Sequence, residues 1–462
     1  MKRHTLFLCL LTVFAFANAH AQTRILRIAA YNTAADFTNS YTPTWSSIGP
    51  PLPGLITPAG NLTAVTSGGV LEGIGEELVN GHAQPVDIVA LEETVSNSTT
   101  VVPIVNGLNS FYGVSGMYSN SSYQATESNG DPTFGNGPNA VVFNTRTVQL
   151  LASTPVDPSG GTGQLGGKSS SKSGMYREVM RYQFAPAGVA TNGSNVFFIY
   201  VSHYKSGAAT TSNNTNSRAG EAFIVRSNMV TTLSTNARVL HVGDFNTGDA
   251  SETMYATLTA PGTNQLIDPL NPARSLTTNF DGSATPANLT ESATFLQYRD
   301  DYQMMTTNVY YGTGGGLALI PGTYHHFGNN GTTTYLGSVN AAGNTALNNL
   351  VTNGPVFITA AQLFLDLTNA SDHLPVVADY TIPIPAPKIT SAKISGTNFV
   401  LSVTNGITNA VYFVLMQTNL SSALTNWTAV ASNTATAGDF SFTATNVFSP
   451  TVPRRFFILQ TR

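Results

Sequence analysis

Apolar runs bounded by turn-forming residues divide the first part of the chain into strands and helices. Short uninterrupted runs of this kind are typical of buried strands. They predict strands at Ile25–Tyr31, Val86–Leu91, Ala140–Asn144, Val179–Phe184, Val196–Ser202 and Val239–Val242. Apolar residues at helical spacing predict helices at Val70–Val79 and Ala219–Leu233. Strands mixed with helices in this way indicate a layered α/β fold over residues 24–380.

The pattern changes after a proline-rich stretch at residues 381–388. Its core, Ile382-Pro383-Ile384-Pro385-Ala386-Pro387, is typical of a stiff, extended linker. Beyond it, short β-type runs are separated by clusters of Asn, Gly, Ser and Thr, and they are Asn398–Val403, Val411–Gln417, Trp427–Ala431, Phe440–Thr445 and Arg455–Gln460. This spacing predicts a small β-sandwich module over residues 389–462. The module has no histidine and only Asp439 as an acidic residue, so we expect an accessory role.

The N-terminus has the pattern of a secretory signal peptide. Lys2 and Arg3 precede an apolar run, Leu6–Phe16, and Ala19-His20-Ala21 offers a small-residue cleavage site. The alternative, a membrane anchor, needs a longer run than this to cross a bilayer. We therefore expect residues 1–21 to be removed and the protein to be secreted, either to the periplasm or to the medium.

Composition and charge limit the chemistry of the remaining chain. The only cysteine, Cys9, lies in the predicted signal peptide, which excludes a disulfide or a thiol nucleophile from the rest. Loss of Lys2 and Arg3 takes the formal net charge from −4 to −6. Such a protein has no general attraction for polyanions, so a nucleic acid substrate must be held at a local site.

Polar side chains stand directly after several predicted strands, where turn-formers begin. Strand ends and the loops after them line the clefts of layered α/β folds. The residues in such positions are Asn32, Glu92-Glu93, His203, Asp244 with Asn246, Asp300-Asp301 and Asp372-His373. Each alone has an ordinary explanation as a turn or cap residue. Their occurrence together in one chain indicates a shared site.

Four motifs carry a resemblance to a known family. Asp-Ile-Val-Ala-Leu-Glu-Glu (87–93), His-Tyr-Lys-Ser (203–206), Gly-Asp-Phe-Asn (243–246) and Ser-Asp-His-Leu-Pro-Val (371–376) occur in this order. In that order they resemble the endonuclease/exonuclease/phosphatase superfamily, which includes deoxyribonuclease I. The resemblance covers residues 24–380. It implies a four-layered α/β sandwich, two mixed β-sheets flanked by helices, and a metal-dependent phosphoesterase activity.

The resemblance also implies a metal site for Mg²⁺ or Mn²⁺. Glu93 matches the metal-binding glutamate of the family, and Asn32 matches the asparagine that supports the metal. Asp372 is a further candidate ligand. Glu92 stands where glutamine is common in the family, which leaves open which of the two glutamates binds the metal.

Further roles follow from the same resemblance. His203 matches a histidine that contacts the scissile phosphate. Asp244 with Asn246 matches the pair beside the nucleophile and phosphate, where Asn246 is expected to donate a hydrogen bond to the phosphoryl oxygens. Arg177 occupies the place of a phosphate-contacting arginine. Asp301, in Arg299-Asp300-Asp301-Tyr302, is expected to orient His373. Either His373 or Asp244 can be the base that deprotonates water, and the sequence leaves both possibilities open.

Three functions are compatible with these residues. The first is hydrolysis of phosphodiester bonds in DNA or RNA, and the second is hydrolysis of phospholipid head groups or of small phosphomonoesters. The third is a binding protein that has lost its activity. A degenerate site should show an apolar replacement at some position, and none occurs, so we expect an enzyme.

Overall fold

The computed structural model describes two compact units, one between Thr23 and Ile384 and one from Pro385 onward. The described ranges are residues 22–33, 69–94, 97–121, 138–156, 179–191, 193–208, 210–291, 293–351, 359–407, 410–435, 438–448 and 454–461. The predicted signal peptide and Arg177 lie outside the described residues. No helix within these ranges is long and apolar enough to cross a membrane.

The elements of the first unit, in chain order, are as follows. Its strands are β1 (Gln22–Asn32), β2 (Ile88–Glu92), β3 (Tyr118–Asn120), β4 (Ala140–Asn144), β5 (Val148–Pro155), β6 (Met180–Pro186), β7 (Phe197–His203), β8 (Val239–Asp244), β9 (Leu266–Ile267), β10 (Asp301–Thr306), β11 (Ala318–Leu319), β12 (His325–His326) and β13 (Val376–Ile384). Its helices are α1 (Val70–Glu76), α2 (Val102–Phe111), α3 (Ser212–Thr232), α4 (Thr253–Thr259), α5 (Thr307–Tyr310) and α6 (Ala360–Ala370).

The first sheet has seven strands in the order β11-β13-β1-β2-β4-β3, with β12 also paired to β13. Strands β1 and β2 are parallel, and Asn32 is the register partner of Glu92. Strand β4 is antiparallel to β2. Because the carboxyl ends of parallel strands meet at one edge of a sheet, Asn32 and the Glu92-Glu93 pair lie at the same edge.

The second sheet has six strands in the order β5-β6-β7-β8-β10-β9. Strands β7 and β8 are parallel, with His203 opposite Asp244. Strand β10 is antiparallel to β8 and places Asp301 opposite Asp244 on the other side. Three polar residues that are far apart in sequence are therefore neighbours across three adjacent strands.

Three hydrophobic cores show how the layers are stacked. One core lies between the two sheets and contains Ile28, Ala90 and Val242. A second joins the first sheet to α1, α2 and α6, and a third joins the second sheet to α3 and α4. Helices thus cover the outer face of each sheet. The predicted four-layered α/β sandwich is confirmed.

The second unit is a small β-sandwich, as the spacing of its β-type runs predicts. Its strands are β14 (Lys388–Ser395), β15 (Asn398–Thr404), β16 (Val411–Gln417), β17 (Thr428–Thr434), β18 (Phe440–Ala444) and β19 (Phe456–Thr461). They form two antiparallel sheets, β14-β15-β18 and β17-β16-β19, around a core that includes Phe399, Tyr412 and Phe442.

The stretch predicted as a linker, residues 381–388, is mostly strand. Strand β13 continues to Ile384 and strand β14 begins at Lys388, so only residues 385–387 lie between them. Ile382 and Ile384 are buried in the first unit. The alternation of isoleucine with proline therefore reflects a strand in which every second side chain is buried. Proline has no backbone N–H, and it is tolerated where a strand no longer needs that donor for pairing with a neighbouring strand.

Candidate active site

The polar residues singled out in the sequence meet where the two sheets face each other. Asn32 and Glu93 come from the first sheet, and His203, Asp244 and Asp301 come from the second. Each of these residues is at most 5% exposed. Strand pairing places the residues of each sheet side by side, and packing of the two sheets on a common core brings the two sets together.

A group of metal-ligating atoms lies at the centre of this region. One ligand atom each from Glu93, His203 and Asp244 lies within 4.8 Å of the others. His203 Nε2 is 3.5 Å from Glu93 Oε1 and 3.4 Å from Asp244 Oδ2. Asn32 Nδ2 donates to the same two oxygens, at 3.1 Å and 3.2 Å. We call these four residues the cation cluster.

The donor set of the cation cluster fits a divalent ion. Carboxylate oxygens are the ligands that Mg²⁺ and Mn²⁺ prefer, and an imidazole nitrogen is also a ligand for transition metals. Burial raises the pKa of the Glu93 carboxyl to about 8, and the nearby Asp372 and Asp244 carboxylates add to this effect. Buried carboxylates so close to each other are costly unless positive charge compensates them. A bound cation would supply that charge.

The two adjacent glutamates have different positions. Glu93 has a positive φ of 52°, which turns its side chain out of the strand and into the cation cluster. Thr33 Oγ1 donates to the backbone oxygens of both Glu92 and Glu93 and holds this turn. Glu92 instead continues the alternation of the strand. Its carboxylate is fully buried, and among the described residues neither oxygen has a hydrogen-bond partner.

The ring of His373 is held by a carboxylate of the second sheet. His373 Nδ1 lies 2.8 Å from Asp301 Oδ2. Its Nε2 lies 4.0 Å from Asp244 Oδ2 and 3.8 Å from Asp372 Oδ1. Burial alone would lower the pKa of His373, but the Asp301 and Asp372 carboxylates outweigh it and raise the pKa well above its ordinary value.

Asn246 holds Asp244 in its position. The Asn246 side-chain amide donates to Asp244 Oδ1 at 2.8 Å and to the backbone oxygen of Tyr204 at 3.1 Å. Its backbone N–H donates to the same Asp244 oxygen at 2.9 Å, and its φ is 51°. The role suggested by the resemblance, donation to a phosphate, requires the Asn246 amide to exchange one of these contacts.

Asp372 belongs to a second group of ligand atoms, together with His373 and Glu291. Its side chain is 52% exposed. The sequence suggests that Asp372 binds metal with Glu93 and Asn32; it lies outside the cation cluster, and its role as a ligand stays a prediction. Glu291 is not predicted by the sequence, because it follows no apolar strand and reaches the site through a backbone bridge to His373.

Known proteins resemble this chain in fold only. No family model matches the sequence, and no curated protein sequence matches it significantly. Three of the matching solved structures are the human nocturnin catalytic domain, Danio rerio TDP2 bound to a single-stranded DNA product, and the Bacteroides thetaiotaomicron mannosyl-6-phosphatase Bt3783.

These matches are remote in sequence. Identity is 13% for nocturnin and TDP2 and 12% for the phosphatase, with TM-scores of 0.42, 0.39 and 0.37. The matched regions cover 78%, 77% and 77% of this chain and 97%, 98% and 99% of the other chains, in that order. Two further matches, from Bacteroides thetaiotaomicron and Beutenbergia cavernae, are named as endonuclease/exonuclease/phosphatase proteins, the superfamily that the motifs resemble.

Proposed function

We propose that this chain, which has the endonuclease/exonuclease/phosphatase fold, is a secreted phosphoesterase that depends on a divalent cation and cleaves phosphodiester bonds. The observation that carries the proposal is the adjacency of two groups in one buried region. The cation cluster lies beside the His373–Asp301 pair, and Asp244 Oδ2 is 4.0 Å from His373 Nε2. A cation site next to a proton acceptor is the arrangement that hydrolysis of a phosphate ester requires.

The cation and the protein side chains have separate tasks in this mechanism. Glu93, Asp244 and His203 would hold a divalent cation, which would supply positive charge to the phosphoryl oxygens. Because Asn32 donates to both carboxylates, it fixes their spacing for that ion. Mg²⁺ and Mn²⁺ are the proposed ions, since two of the three ligand atoms of the cluster are carboxylate oxygens.

His373 is the first candidate for the base. A carboxylate oxygen can only accept a hydrogen bond, so Asp301 selects the tautomer of His373 with its proton on Nδ1. Its Nε2 can then take a proton from an attacking water. The raised pKa of His373 also supports the other assignment, in which the imidazolium donates to the phosphate and Asp244 is the base. The pH dependence of kcat separates the two possibilities.

Nucleic acid is the first substrate to test. The resemblance of the motifs to nucleases supports DNA or RNA, and the predicted secretion suits a scavenging hydrolase. The formal net charge of −4 gives no broad attraction for a polyanion, which keeps phospholipid head groups and small phosphomonoesters as the second candidate.

A substrate panel tests the proposal. The protein from Gln22 onward would be incubated with plasmid DNA, RNA, sphingomyelin and a sugar phosphate, with Mg²⁺ or Mn²⁺ and with chelator. We expect turnover of at least one phosphate ester that chelator abolishes and His373→Ala removes. A folded, cation-loaded protein that turns over none of the four would overturn the proposal and favour a binding protein.

A further inference from the structure

A row of aromatic rings lies directly behind the site, on the opposite face of the second sheet. The Tyr204 and Phe245 rings are stacked with centroids 5.1 Å apart at 23°, and the Phe245 and Tyr302 rings with centroids 5.1 Å apart at 6°. All three side chains are fully buried in the core under α3 and α4. We call these three residues the aromatic row.

Each member of the aromatic row is the chain neighbour of a site residue. Tyr204 follows His203, Phe245 follows Asp244, and Tyr302 follows Asp301. Consecutive residues of a strand point to opposite faces, so a ring fixed on one face fixes the preceding side chain on the other. The centroid spacing of 5.1 Å is close to the separation of neighbouring strands, about 4.8 Å. The rings therefore lie on the same three adjacent chain segments as the three site residues and in the same order.

Backbone hydrogen bonds connect the strands at the same level. Tyr204 N donates to Asp244 O at 2.8 Å, and Phe245 N donates to Asp300 O at 2.7 Å. The Tyr302 hydroxyl donates to the backbone oxygen of Thr247 at 3.2 Å, just beyond the Asp244–Asn246 turn. Ring stacking and backbone bonds thus hold the same three chain segments together.

Arg299 closes the end of the row. Its guanidinium carbon lies 4.1 Å from the centroid of Tyr302, and its two terminal nitrogens donate to the two Asp268 oxygens at 2.9 Å and 2.8 Å. Arg299 and Asp268 are fully buried. Stacking on the ring and the bidentate carboxylate together fix the plane of the guanidinium, and lysine cannot reproduce this geometry.

We infer that the aromatic row, together with Arg299 stacked at its end, positions His203, Asp244 and Asp301. Through Asp301 it also positions His373. Its members are positioning residues, since their rings lie on the far face of the sheet from the cation cluster. The inference rests on the proposed function for its kinetic readout, because displacement of reacting groups by about 1 Å can cost a factor of about 100 in rate.

The test compares the same substitution inside and outside the row. Phe245→Leu removes the middle ring of the row. Phe184→Leu makes the matching change in the fully buried core between the sheets. Arg299→Lys is a second variant that keeps the charge and loses the stacked, bidentate geometry. The ring ¹⁵N shifts of His203 and His373 would be recorded beside kcat and KM.

We expect Phe245→Leu and Arg299→Lys to lower kcat about 10- to 100-fold with little change in KM, and to shift the ¹⁵N signals of both histidines. Phe184→Leu should lose a similar amount of stability and keep the wild-type signals and kcat. Unchanged histidine signals in folded Phe245→Leu and Arg299→Lys proteins would overturn the inference. The ¹⁵N measurement needs no substrate, so it tests the positioning role even if no phosphate ester is hydrolysed and the proposed function fails.

Discussion

Single side chains decide the chemistry proposed for this site, and the two pairs of adjacent acids show how. Glu93 joins the cation cluster and Asp301 bonds His373. Of their neighbours, Glu92 has a buried carboxylate without a hydrogen-bond partner among the described residues, and Asp300 pairs with Glu291. Comparing the two substitutions within each pair therefore separates the loss of a site contact from the loss of a nearby negative charge.

Asp301→Asn should lower kcat about 100-fold or more, with KM little changed. An amide at this position no longer selects the tautomer of His373 that leaves Nε2 without a proton, and orientation of the ring is lost. Steady-state kinetics with the substrate found in the panel measures the effect. Asp300→Asn is the matched comparison, and its loss of kcat should be much smaller, because Asp300 pairs with Glu291 and not with His373. Equal losses in the two variants would contradict the assigned pairing.

Glu93→Gln should abolish stabilisation by a divalent cation, whereas Glu92→Gln should retain it. Only Glu93 contributes an oxygen to the cation cluster. A cation present at 100 times its Kd stabilises a folded protein by about 2.7 kcal/mol. Thermal unfolding with Mn²⁺ and with chelator measures this difference for each variant. Loss of the cation effect in Glu92→Gln alone would reverse the roles of the two residues.

At the level of elements, apolar runs were sufficient to find the strands that carry the site. The run Ala140–Asn144 coincides with β4, and the predicted strands that end before His203 and Asp244 are β7 and β8. Burial on both faces makes such strands continuously apolar, and this signal is easily recognised in a sequence. The polar residues that end β7 and β8 therefore mark the site.

Helix ends and loop contacts were less accessible from the sequence. The predicted helix Ala219–Leu233 begins seven residues earlier, at Ser212, in a segment of Ser, Asn and Thr that has low helix propensity. The contact of Glu291 with His373 joins two loops. Hydrophobic periodicity carries no information on such tertiary contacts, so the place of Asp372 beside Glu291 could not be predicted.

Gly243→Ala should destabilise the second sheet strongly. Gly243 has a φ of 126°, and an added Cβ would overlap Ser202 O and lie 2.9 Å from Glu92 Oε1. Strain and overlap together should cost about 3 kcal/mol or more of the free energy of unfolding. Urea denaturation measures this loss. Gly113→Ala, at a φ of 65° with open space around it, is the control and should cost about 1 kcal/mol. Similar losses of stability in the two variants would show that the close approach of β7 and β8 at Gly243 does not affect the free energy of unfolding.

For the whole molecule, buried carboxyl groups make stability depend on pH. Burial raises the pKa of Glu72 from 4.5 to about 7, partly offset by backbone N–H groups. A raised carboxyl pKa contributes stability that is fully present below pH 4.5 and is lost as pH rises through about 7.

Glu72→Gln should therefore raise the free energy of unfolding by about 2 kcal/mol at pH 8 relative to wild type. At pH 4.5 the two proteins should be similar. Urea denaturation at the two pH values, with chelator present, measures the difference. Asp439→Asn, at an exposed position of the second unit, is the control and should follow the wild-type pH dependence. A variant that loses stability at pH 8 would contradict this account of Glu72.

The two compact units make a further prediction about the whole chain. Every described site residue lies between Thr23 and Ile384. A protein that ends at Ile384 should keep the cation-dependent turnover of the full chain within about twofold, since a compact unit with its own hydrophobic core can fold alone. Kinetics on both lengths of chain, after circular dichroism shows that each is folded, measures the ratio. Loss of turnover in the folded shorter chain would assign part of the site to the second unit.

Cation-dependent hydrolysis through His373 is tested by the phosphate-ester panel with Mn²⁺, with chelator, and with His373→Ala in Mn²⁺. We expect turnover only by the wild-type protein with cation, because the cation cluster and the His373–Asp301 pair must both be complete. Turnover that persists with chelator or in His373→Ala would contradict it, as would a folded wild-type protein with cation that hydrolyses no phosphate ester.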